Sequence, residues 1–315
     1  MASDPRPPVV LLMGSTASGK TELARTLCGE FPLDVVSVDS AMVYRGMNIG
    51  TAKPDADFLR QCPHRLIDIC DPAEAYSAGR FLVDANREIE QIHNAGRIPL
   101  LVGGTMLYFR ALQQGLASLP AADPVIRAEL DAEATRIGWP AVHETLAQVD
   151  PAAAARIKPQ DGQRIQRALE VYRLSGQTLS YLQATAQASV QPRDWLKLAL
   201  WPSDLEAQRV RIGNRFRAML DAGFVAEVEM LKQRPDILPG LPSMRAVGYR
   251  QIWEFLQGRC ELAEAERRGV IATCQLAKRQ RTWLRAEKHL FRMDTGRGAA
   301  DSALHHLAGK IPRSP

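Results

Sequence analysis

Short apolar runs alternate with longer segments of helical spacing along much of this chain. Four runs have the length and composition of buried strands: Val9–Met13, Val35–Val38, Pro99–Val102 and Leu196–Leu200. Between them, segments such as Ser77–Ala95 repeat apolar residues at the period of a helix. Because strands that alternate with helices form parallel sheets, this pattern predicts an α/β fold.

The pattern changes between about residues 114 and 194, where no apolar strand run occurs. Amphipathic helical segments dominate there: Asp123–Ile137, Pro140–Val149 and Asp161–Ser175. We therefore predict an inserted helical domain over 114–194 and an α/β core made of 8–113 and 195–292. We expect 293–315 to form a flexible tail, because this segment is small and polar.

The segment that follows the first apolar run has the strongest chemical signal. It reads GSTASGKT and matches the phosphate-loop spacing G-x-x-x-x-G-K-[ST] between a predicted strand and a predicted helix. Glycines let successive N–H groups converge on phosphate oxygens, and the helix N-terminus adds its dipole. Among these residues, Lys20 supplies a positive charge and Thr21 a hydroxyl ligand for Mg²⁺. The predicted phosphate-binding residues are Gly14, Ser15, Thr16, Ala17, Ser18, Gly19, Lys20 and Thr21.

Two other strand runs end in polar residues, at the edge where parallel sheets bind ligands. Asp39 follows the second run, as either a Mg²⁺ ligand or a general base. Gly103, Gly104 and Thr105 follow the third run. The glycines would let the backbone approach a ligand closely, and the Thr105 hydroxyl either contacts a substrate or caps the next helix.

The charge of the chain permits an anionic partner without proving one. Its 315 residues carry a net charge of +5, and 24% of them are charged. In one short stretch, the charged residues are almost all positive, and Trp283 and His289 lie among them. This stretch predicts either a solvated helix face or an RNA-backbone surface. Its cations, against the single acid Glu287, are Lys278, Arg279, Arg281, Arg285, Lys288 and Arg292.

Other arginines are spaced to share a helix face. Arg211 and Arg215 are four residues apart, so both can reach one anion. Arg164 and Arg167 share a face of a predicted helix, which either is solvated or contacts RNA.

On that predicted helix, Ile165, Leu169 and Tyr172 form an apolar stripe that we expect to be buried. The segment Arg245–Arg250 combines arginines, a glycine and Tyr249, which suits phosphate contacts and base stacking.

Cysteine and histidine usage argues for a reduced compartment and against a metal cluster. The five cysteines have no C-x-x-C spacing, and the six histidines lack metal-ligand spacing. No apolar run is long enough to span a membrane, and the N-terminus has no hydrophobic signal core. We therefore expect a cytoplasmic protein without a membrane partner.

Six blocks of sequence, in this order, resemble the tRNA dimethylallyltransferase family from about Pro8 to Arg292. They are GSTASGKTELA, DSAMVYRGMNIGTAKP, PLLVGGTMLYFRAL, DGQRIQRALEVYRLSG, RIGNRFRAML and RAVGYRQIWEFLQG. One departure is Met42, because many members carry glutamine there. The resemblance implies a phosphate-loop core with an inserted helical domain.

The resemblance also implies a reaction. A dimethylallyl group would pass from dimethylallyl diphosphate to N6 of the adenosine on the 3′ side of the anticodon, in tRNAs that read codons beginning with U. The phosphate loop, Mg²⁺, Arg211 and Arg215 would hold the diphosphate, Asp39 would be the base, and Thr105 would lie close to the reacting centre.

By the same resemblance, the protein would bind the anticodon stem-loop of tRNA, and we expect the protein to be a monomer. The implied contacts are Asp39, Ser40, Ala41, Met42, Thr105, Arg127, Gln163, Arg164, Ile165, Gln166, Arg167, Arg245, Gly248, Tyr249 and Arg250. Two alternatives are a small-molecule kinase, which leaves the basic C-terminal third unexplained, and a nucleotide-switched RNA-binding protein, which leaves Asp39 without a role.

Overall fold

The computed structural model describes residues 7–185, 193–296 and 298–314. The chain divides into two compact units. The first, the core unit, comprises Met1–Leu112 and Gln191–Pro315, and the second, the inserted unit, is Gln113–Val190.

The strands of the core unit are β1 (Val9–Gly14), β2 (Leu33–Val38), β3 (His64–Arg65), β4 (Ile98–Gly103), β5 (Trp195–Trp201) and β6 (Leu290–Asp294). The helices up to residue 114 are α1 (Lys20–Glu30), α2 (Ala56–Gln61), α3 (Ala78–Asn94) and α4 (Met106–Gln114). Those of the inserted unit are α5 (Pro124–Ile137), α6 (Trp139–Val149), α7 (Pro151–Ala154), α8 (Gly162–Ser175) and α9 (Leu179–Thr185). The remaining helices are α10 (Leu205–Asp221), α11 (Phe224–Lys232), α12 (Tyr249–Leu256), α13 (Leu262–Arg285) and α14 (Ala299–Ala308).

The six strands form one parallel sheet in the order β3-β2-β4-β1-β5-β6. The predicted α/β class is therefore confirmed. Successive β1 side chains enter opposite cores, because Leu11 and Met13 join one apolar cluster whereas Val10 and Leu12 join the other. A strand buried on both faces reads as a continuous apolar run, which is why the four predicted strands were visible in the sequence.

The register of the sheet aligns the carboxyl ends of its three central strands. Gly103 of β4 pairs with Val38 of β2 on one side and with Met13 of β1 on the other. The segments that follow these strands therefore leave the sheet at neighbouring positions along one edge, where open α/β sheets bind ligands.

The C-terminal segment is ordered, so the prediction of a flexible tail over 293–315 is wrong for its described residues. Met293 belongs to β6, and α14 packs against α1. Ala303, Leu307 and Ile311 are almost completely buried at a spacing of four residues. The sequence did not reveal this three-residue apolar stripe, because the residues around it are mostly small or polar.

Within residues 113–185, every regular element of the inserted unit is a helix, and loops such as residues 115–123 connect them. Aspartates cap its helices, since the Asp123 side chain accepts from the N–H groups of Val125 and Ile126. The unit has its own apolar cluster, which includes Leu130, Leu146 and Ile165.

Within that unit, the predicted stripe on α8 is buried at Ile165 and Leu169, but Tyr172 is exposed. The prediction that Tyr172 is buried is therefore wrong.

Candidate active site

The loop between β1 and α1 has the backbone expected of an anion-binding turn. Gly19 directly precedes α1 with a φ of 88°, in the left-handed region that favours glycine. The ammonium group of Lys20 lies over this loop, where it donates to the Ser15 carbonyl at 2.8 Å. The structure thus places a positive charge and a helix N-terminus at the same turn.

The environment of Lys20 is electrostatically unfavourable for a cation. Burial lowers the pKa of Lys20 to about 7, with a further lowering from Arg215 and an opposing effect from Asp39. Burial also lowers the pKa of Arg215, again opposed by Asp39. Two desolvated cations, of which Arg215 lowers the pKa of Lys20, favour a bound anion at this site.

Helix α10 brings the two predicted diphosphate-binding arginines to this site. Arg211 Nε donates to the Ala17 carbonyl of the phosphate loop at 3.3 Å. Arg215 donates to the Thr51 carbonyl at 3.4 Å, on the segment that follows Asp39. The structure therefore places Arg211 against the phosphate loop and Arg215 close enough to Lys20 to lower its pKa. That both arginines reach one anion stays a prediction.

Asp39 and Thr105 leave neighbouring strands and are connected through Ser40. The Thr105 hydroxyl accepts from the Ser40 N–H at 3.1 Å and lies 3.4 Å from the Ser40 hydroxyl. Thr105 also directly precedes α4, and its carbonyl accepts from the N–H of Tyr108. The residue therefore begins a helix while its side chain reaches across to the β2 end.

Backbone N–H groups orient the Asp39 carboxylate. Its Oδ1 accepts from the N–H groups of Ala41 at 2.8 Å and Met42 at 3.2 Å. The contact made by position 42 to Asp39 comes from the main chain, so methionine can make it as well as glutamine. The four residues Asp39–Met42 thus form a self-supported turn at the sheet edge.

Two buried glutamines, which the sequence analysis missed, hold the phosphate loop from behind. Gln208 Nε2 donates to the Ser15 hydroxyl at 2.7 Å and to the Thr16 carbonyl at 2.9 Å, and its Oε1 accepts from Arg281 at 2.6 Å. Gln280 Oε1 accepts from the Thr16 N–H at 2.8 Å. Both backbone groups of Thr16 are therefore paired with side chains of α10 and α13.

A buried glutamate, Glu227 of α11, was also missed. It accepts from the N–H groups of Asn48, Ile49 and Gly50 at 2.7–3.0 Å and from the Tyr249 hydroxyl at 2.6 Å. These bonds fix the segment that contains Thr51, whose carbonyl accepts from Arg215.

The missed residues share one sequence signal. Each is a polar side chain at a core position of an amphipathic helix. Gln208 precedes the buried Ile212 and Phe216 at four-residue spacing, and Gln280 lies between the buried Ala277 and Leu284.

The segment Arg245–Arg250 divides into exposed arginines and a buried aromatic. Arg245 and Arg250 are exposed, whereas Gly248 and Tyr249 are buried, with Tyr249 at 0% exposure. The prediction that Tyr249 stacks on a base is therefore wrong, because its ring lies in the core and its hydroxyl binds Glu227.

The inserted unit binds two of its predicted RNA-contacting arginines internally. The fully buried Glu170 accepts two bonds from Arg127, at 2.8 and 3.1 Å, and one from Arg167 at 2.6 Å. Arg167 also donates to the Pro120 carbonyl at 2.7 Å. The carboxylate of Glu170 thus organises this face of the unit.

The other predicted contacts of this unit differ in exposure. Gln163 and Arg164 are exposed, whereas Gln166 is half-buried and donates to Asp131 at 2.7 Å. The Ile165 side chain has 0% exposure, so the tRNA contact predicted at this position stays a prediction that this side chain does not support. The helix buries every third or fourth residue, and Ile165 lies on its inner face.

The positive stretch, which runs from the end of α13 into β6, keeps its charge excess. Its single acid, Glu287, forms an ion pair with Lys197 of β5 at 2.6 Å. Lys278, Arg279 and Arg285 are exposed, and Trp283 is 40% exposed.

Among the described residues, no group of three or more acidic, histidine or cysteine side chains could hold a metal ion. The Thr21 hydroxyl is half-buried at the start of α1. Mg²⁺ keeps several waters and commonly binds through substrate phosphates with few protein ligands. These residues therefore fit a Mg²⁺ that arrives with a diphosphate, and not a preformed protein cage.

Within residues 7–185, 193–296 and 298–314, no helix combines the length and hydropathy needed to cross a membrane.

A family model described as IPP transferase matches residues 42–287. The chain belongs to the IPP transferase family. The family assignment made from the six sequence blocks is thus confirmed, and the kinase and RNA-switch alternatives are not favoured.

The relatives in this family are similar over most of their length. A tRNA dimethylallyltransferase from Thioalkalivibrio sulfidiphilus (strain HL-EbGR7) is 57% identical over 280 residues, which cover 89% of this chain and 88% of the relative. One from Burkholderia ambifaria (strain MC40-6) is 57% identical over 281 residues, or 88% and 87% of the two chains. The crystal structure of the full-length tRNA isopentenylpyrophosphate transferase from Bacillus halodurans matches with a TM-score of 0.71 at 34% identity, covering 97% of each chain.

Proposed function

We propose that this IPP transferase family member moves a dimethylallyl group from dimethylallyl diphosphate to N6 of the adenosine on the 3′ side of a tRNA anticodon, in tRNAs that read codons beginning with U. The observation that carries the proposal is the position of Asp39 and Thr105. They leave the carboxyl ends of β2 and β4 directly beside the phosphate loop that follows β1.

The diphosphate end of the donor belongs, in this proposal, to the phosphate loop with Lys20, Arg211 and Arg215. Cleavage of the allylic C–O bond leaves negative charge on the diphosphate and positive character on the allyl carbon. Fixed N–H groups and cations stabilise the charge where it develops. The depressed pKa of Lys20 supports this role, because a bound polyanion would favour the charged form of its amine.

Magnesium supplies charge neutralisation at the leaving diphosphate when it is bound. We assign its protein contact to the Thr21 hydroxyl. Without added Mg²⁺ and with excess chelator, most of the transfer activity should therefore be lost. Full activity under those conditions would refute the metal requirement.

The acceptor side requires a base, because the lone pair of an adenine amino group is delocalised into the ring. As the N6–C bond forms, N6 loses a proton, and we propose that the Asp39 carboxylate accepts it. The N–H groups of Ala41 and Met42 hold Oδ1, which orients the second oxygen for the proton. Proton transfer by a positioned base contributes roughly 10²–10⁴-fold to a rate.

The tRNA contacts are proposed on exposed cations of each unit. In the core unit these are Arg245, Arg250 and the exposed cations of α13, and in the inserted unit Arg164 is the most exposed of the predicted arginines. The target adenosine must leave the anticodon-loop stack, at a cost of a few kcal/mol. We propose a monomer in the cytoplasm, and the five free cysteines support the location because thiols stay reduced there.

Replacement of Asp39 tests the proposal. Asp39→Asn keeps the side-chain size but cannot accept the proton, so kcat should fall by roughly 10²-fold or more while tRNA affinity changes little. The matched control is Asp57→Asn at an exposed position of α2. An Asp39→Asn variant that keeps more than about a tenth of wild-type kcat would refute the base assignment. Release of ADP from ATP with a small metabolite would instead support the kinase alternative.

A further inference from the structure

One side chain spans the two halves of the candidate site. Gln280 accepts from the Thr16 N–H of the phosphate loop at 2.8 Å, and its amide nitrogen donates to the Gly104 carbonyl at 2.8 Å. The residue is 8% exposed and lies on the inner face of α13. A single planar amide therefore joins the loop that follows β1 to the segment that follows β4.

The fit around this amide is close. A Cβ atom added at Gly104 would lie 2.5 Å from Gln280 Nε2 and 3.4 Å from the Gly14 carbonyl oxygen. No larger residue at position 104 would let the amide approach the Gly104 carbonyl in this way. Gly104 and Gln280 are thus complementary, since the missing side chain of one makes room for the amide of the other.

The contacts continue from this amide to the acceptor side. Gly104 is followed by Thr105, whose hydroxyl accepts from the Ser40 N–H next to Asp39. The path from the phosphate loop to Asp39 therefore runs through Gln280, Gly104, Thr105 and Ser40.

We propose that Gln280 is a positioning residue that fixes the separation between the diphosphate site and the acceptor site, and this inference rests on the proposed function. The phosphate loop holds the carbon donor through its leaving group, whereas Asp39 and Thr105 hold the attacking nitrogen. A misplacement of about 1 Å between two reacting groups can cost roughly 10²-fold in rate. Gln280 touches neither reacting atom, so its effect should be on kcat and not on binding.

The amide chemistry provides a selective perturbation. Gln280→Glu keeps the length and an oxygen that can accept from Thr16, but its second oxygen would face the Gly104 carbonyl and repel it. The variant therefore breaks the link to the acceptor side and preserves the bond to the loop. Gln280→Met has a similar length, lacks both hydrogen bonds and adds no charge.

The control is Gln275→Glu, which adds the same charge to an exposed position of the same helix. For each protein we would measure dimethylallyl diphosphate affinity and anticodon stem-loop affinity by calorimetry, kcat at saturation with both substrates, and thermal unfolding. We expect Gln280→Glu to lose roughly 10²-fold in kcat while both affinities stay within about threefold of wild type. The control should keep wild-type kcat.

The outcomes separate this inference from the function on which it rests. A wild-type protein that transfers nothing would refute the proposed function, and the inference would fall with it. An active wild type whose Gln280→Glu variant keeps its kcat, or loses donor affinity in proportion to kcat, would overturn the inference alone. If Gln280→Glu does not fold, Gln280→Met carries the test, and failure of both to fold would make Gln280 a structural brace and overturn its positioning role.

Discussion

Glu227→Gln should destabilise the core unit, although it changes one atom in a side chain distant from solvent. The carboxylate accepts from three backbone N–H groups and from the Tyr249 hydroxyl. In the better of the two amide orientations, the new NH₂ faces Tyr249, whose hydroxyl can turn and accept. The Gly50 N–H then has no acceptor on that side chain.

The expected magnitude follows from this count. One buried unpaired N–H costs about 1–3 kcal/mol, and loss of charge assistance in the two remaining backbone bonds costs about 1 kcal/mol more. We therefore expect the free energy of unfolding to fall by about 2–4 kcal/mol. Because 1 kcal/mol corresponds to roughly 2–4 °C in a domain of this size, the midpoint should fall by about 4–16 °C.

The assay is thermal unfolding followed by circular dichroism, with a matched control on the same helix. Glu229 of α11 is exposed, so Glu229→Gln removes the same charge without touching the network. The control should unfold within about 2 °C of the wild type, since exposed substitutions usually change stability by less than 0.5 kcal/mol. If Glu227→Gln also unfolds within that interval, the bonds of Glu227 do not stabilise this segment and the reasoning is refuted.

Three further predictions concern charge and packing. Because burial lowers the pKa of Lys20 to about 7, diphosphate binding at pH 8 should take up a proton, which calorimetry in buffers of different ionisation enthalpy would detect. Arg164→Ala should reduce the salt slope of tRNA binding by about one unit without loss of stability, whereas Arg167→Ala should lower the unfolding midpoint, because Arg167 binds the buried Glu170. Leu307→Ala should cost about 2–5 kcal/mol in chemical unfolding, since its side chain is fully buried.

Each of these has a contrary result. Enthalpies of diphosphate binding that do not vary with the buffer would mean that Lys20 is already charged. Equal stability of Arg164→Ala and Arg167→Ala would remove the structural role of Arg167. A Leu307→Ala protein as stable as the wild type would restore the flexible tail that the sequence suggested.

The sequence predicted the centre of the sheet better than its edges. β1, β2, β4 and β5 were visible because central parallel strands bury both faces. β3 has only two residues, too few for a periodic signal, and in β6 the exposed Arg292 and Asp294 interrupt the apolar pattern. A search for uninterrupted apolar runs therefore misses the two edge strands of the sheet.

The candidate site was predicted where backbone geometry dictates residue type. The phosphate loop and the residues after β2 and β4 could be predicted as site residues because the chemistry depends on their position after a strand. Gln208, Glu227 and Gln280 were missed because a polar residue in an apolar stripe has no meaning until its partner is known. Tyr249 was misassigned because an aromatic residue beside arginines suits two environments, a buried core and an RNA-binding surface.

The pairing of β1 with β5 has a consequence for how the chain folds during synthesis. Val9 pairs with Trp195, so the first strand emerges from the ribosome well before one of its two neighbours exists. At 5–20 residues per second, the delay is roughly 10–40 s. The whole inserted unit is translated in that interval and has an apolar cluster of its own. We therefore expect the inserted unit to become protease-resistant on stalled nascent chains before the phosphate loop does. At that stage, the edge of β1 that pairs with β5 is still unpaired.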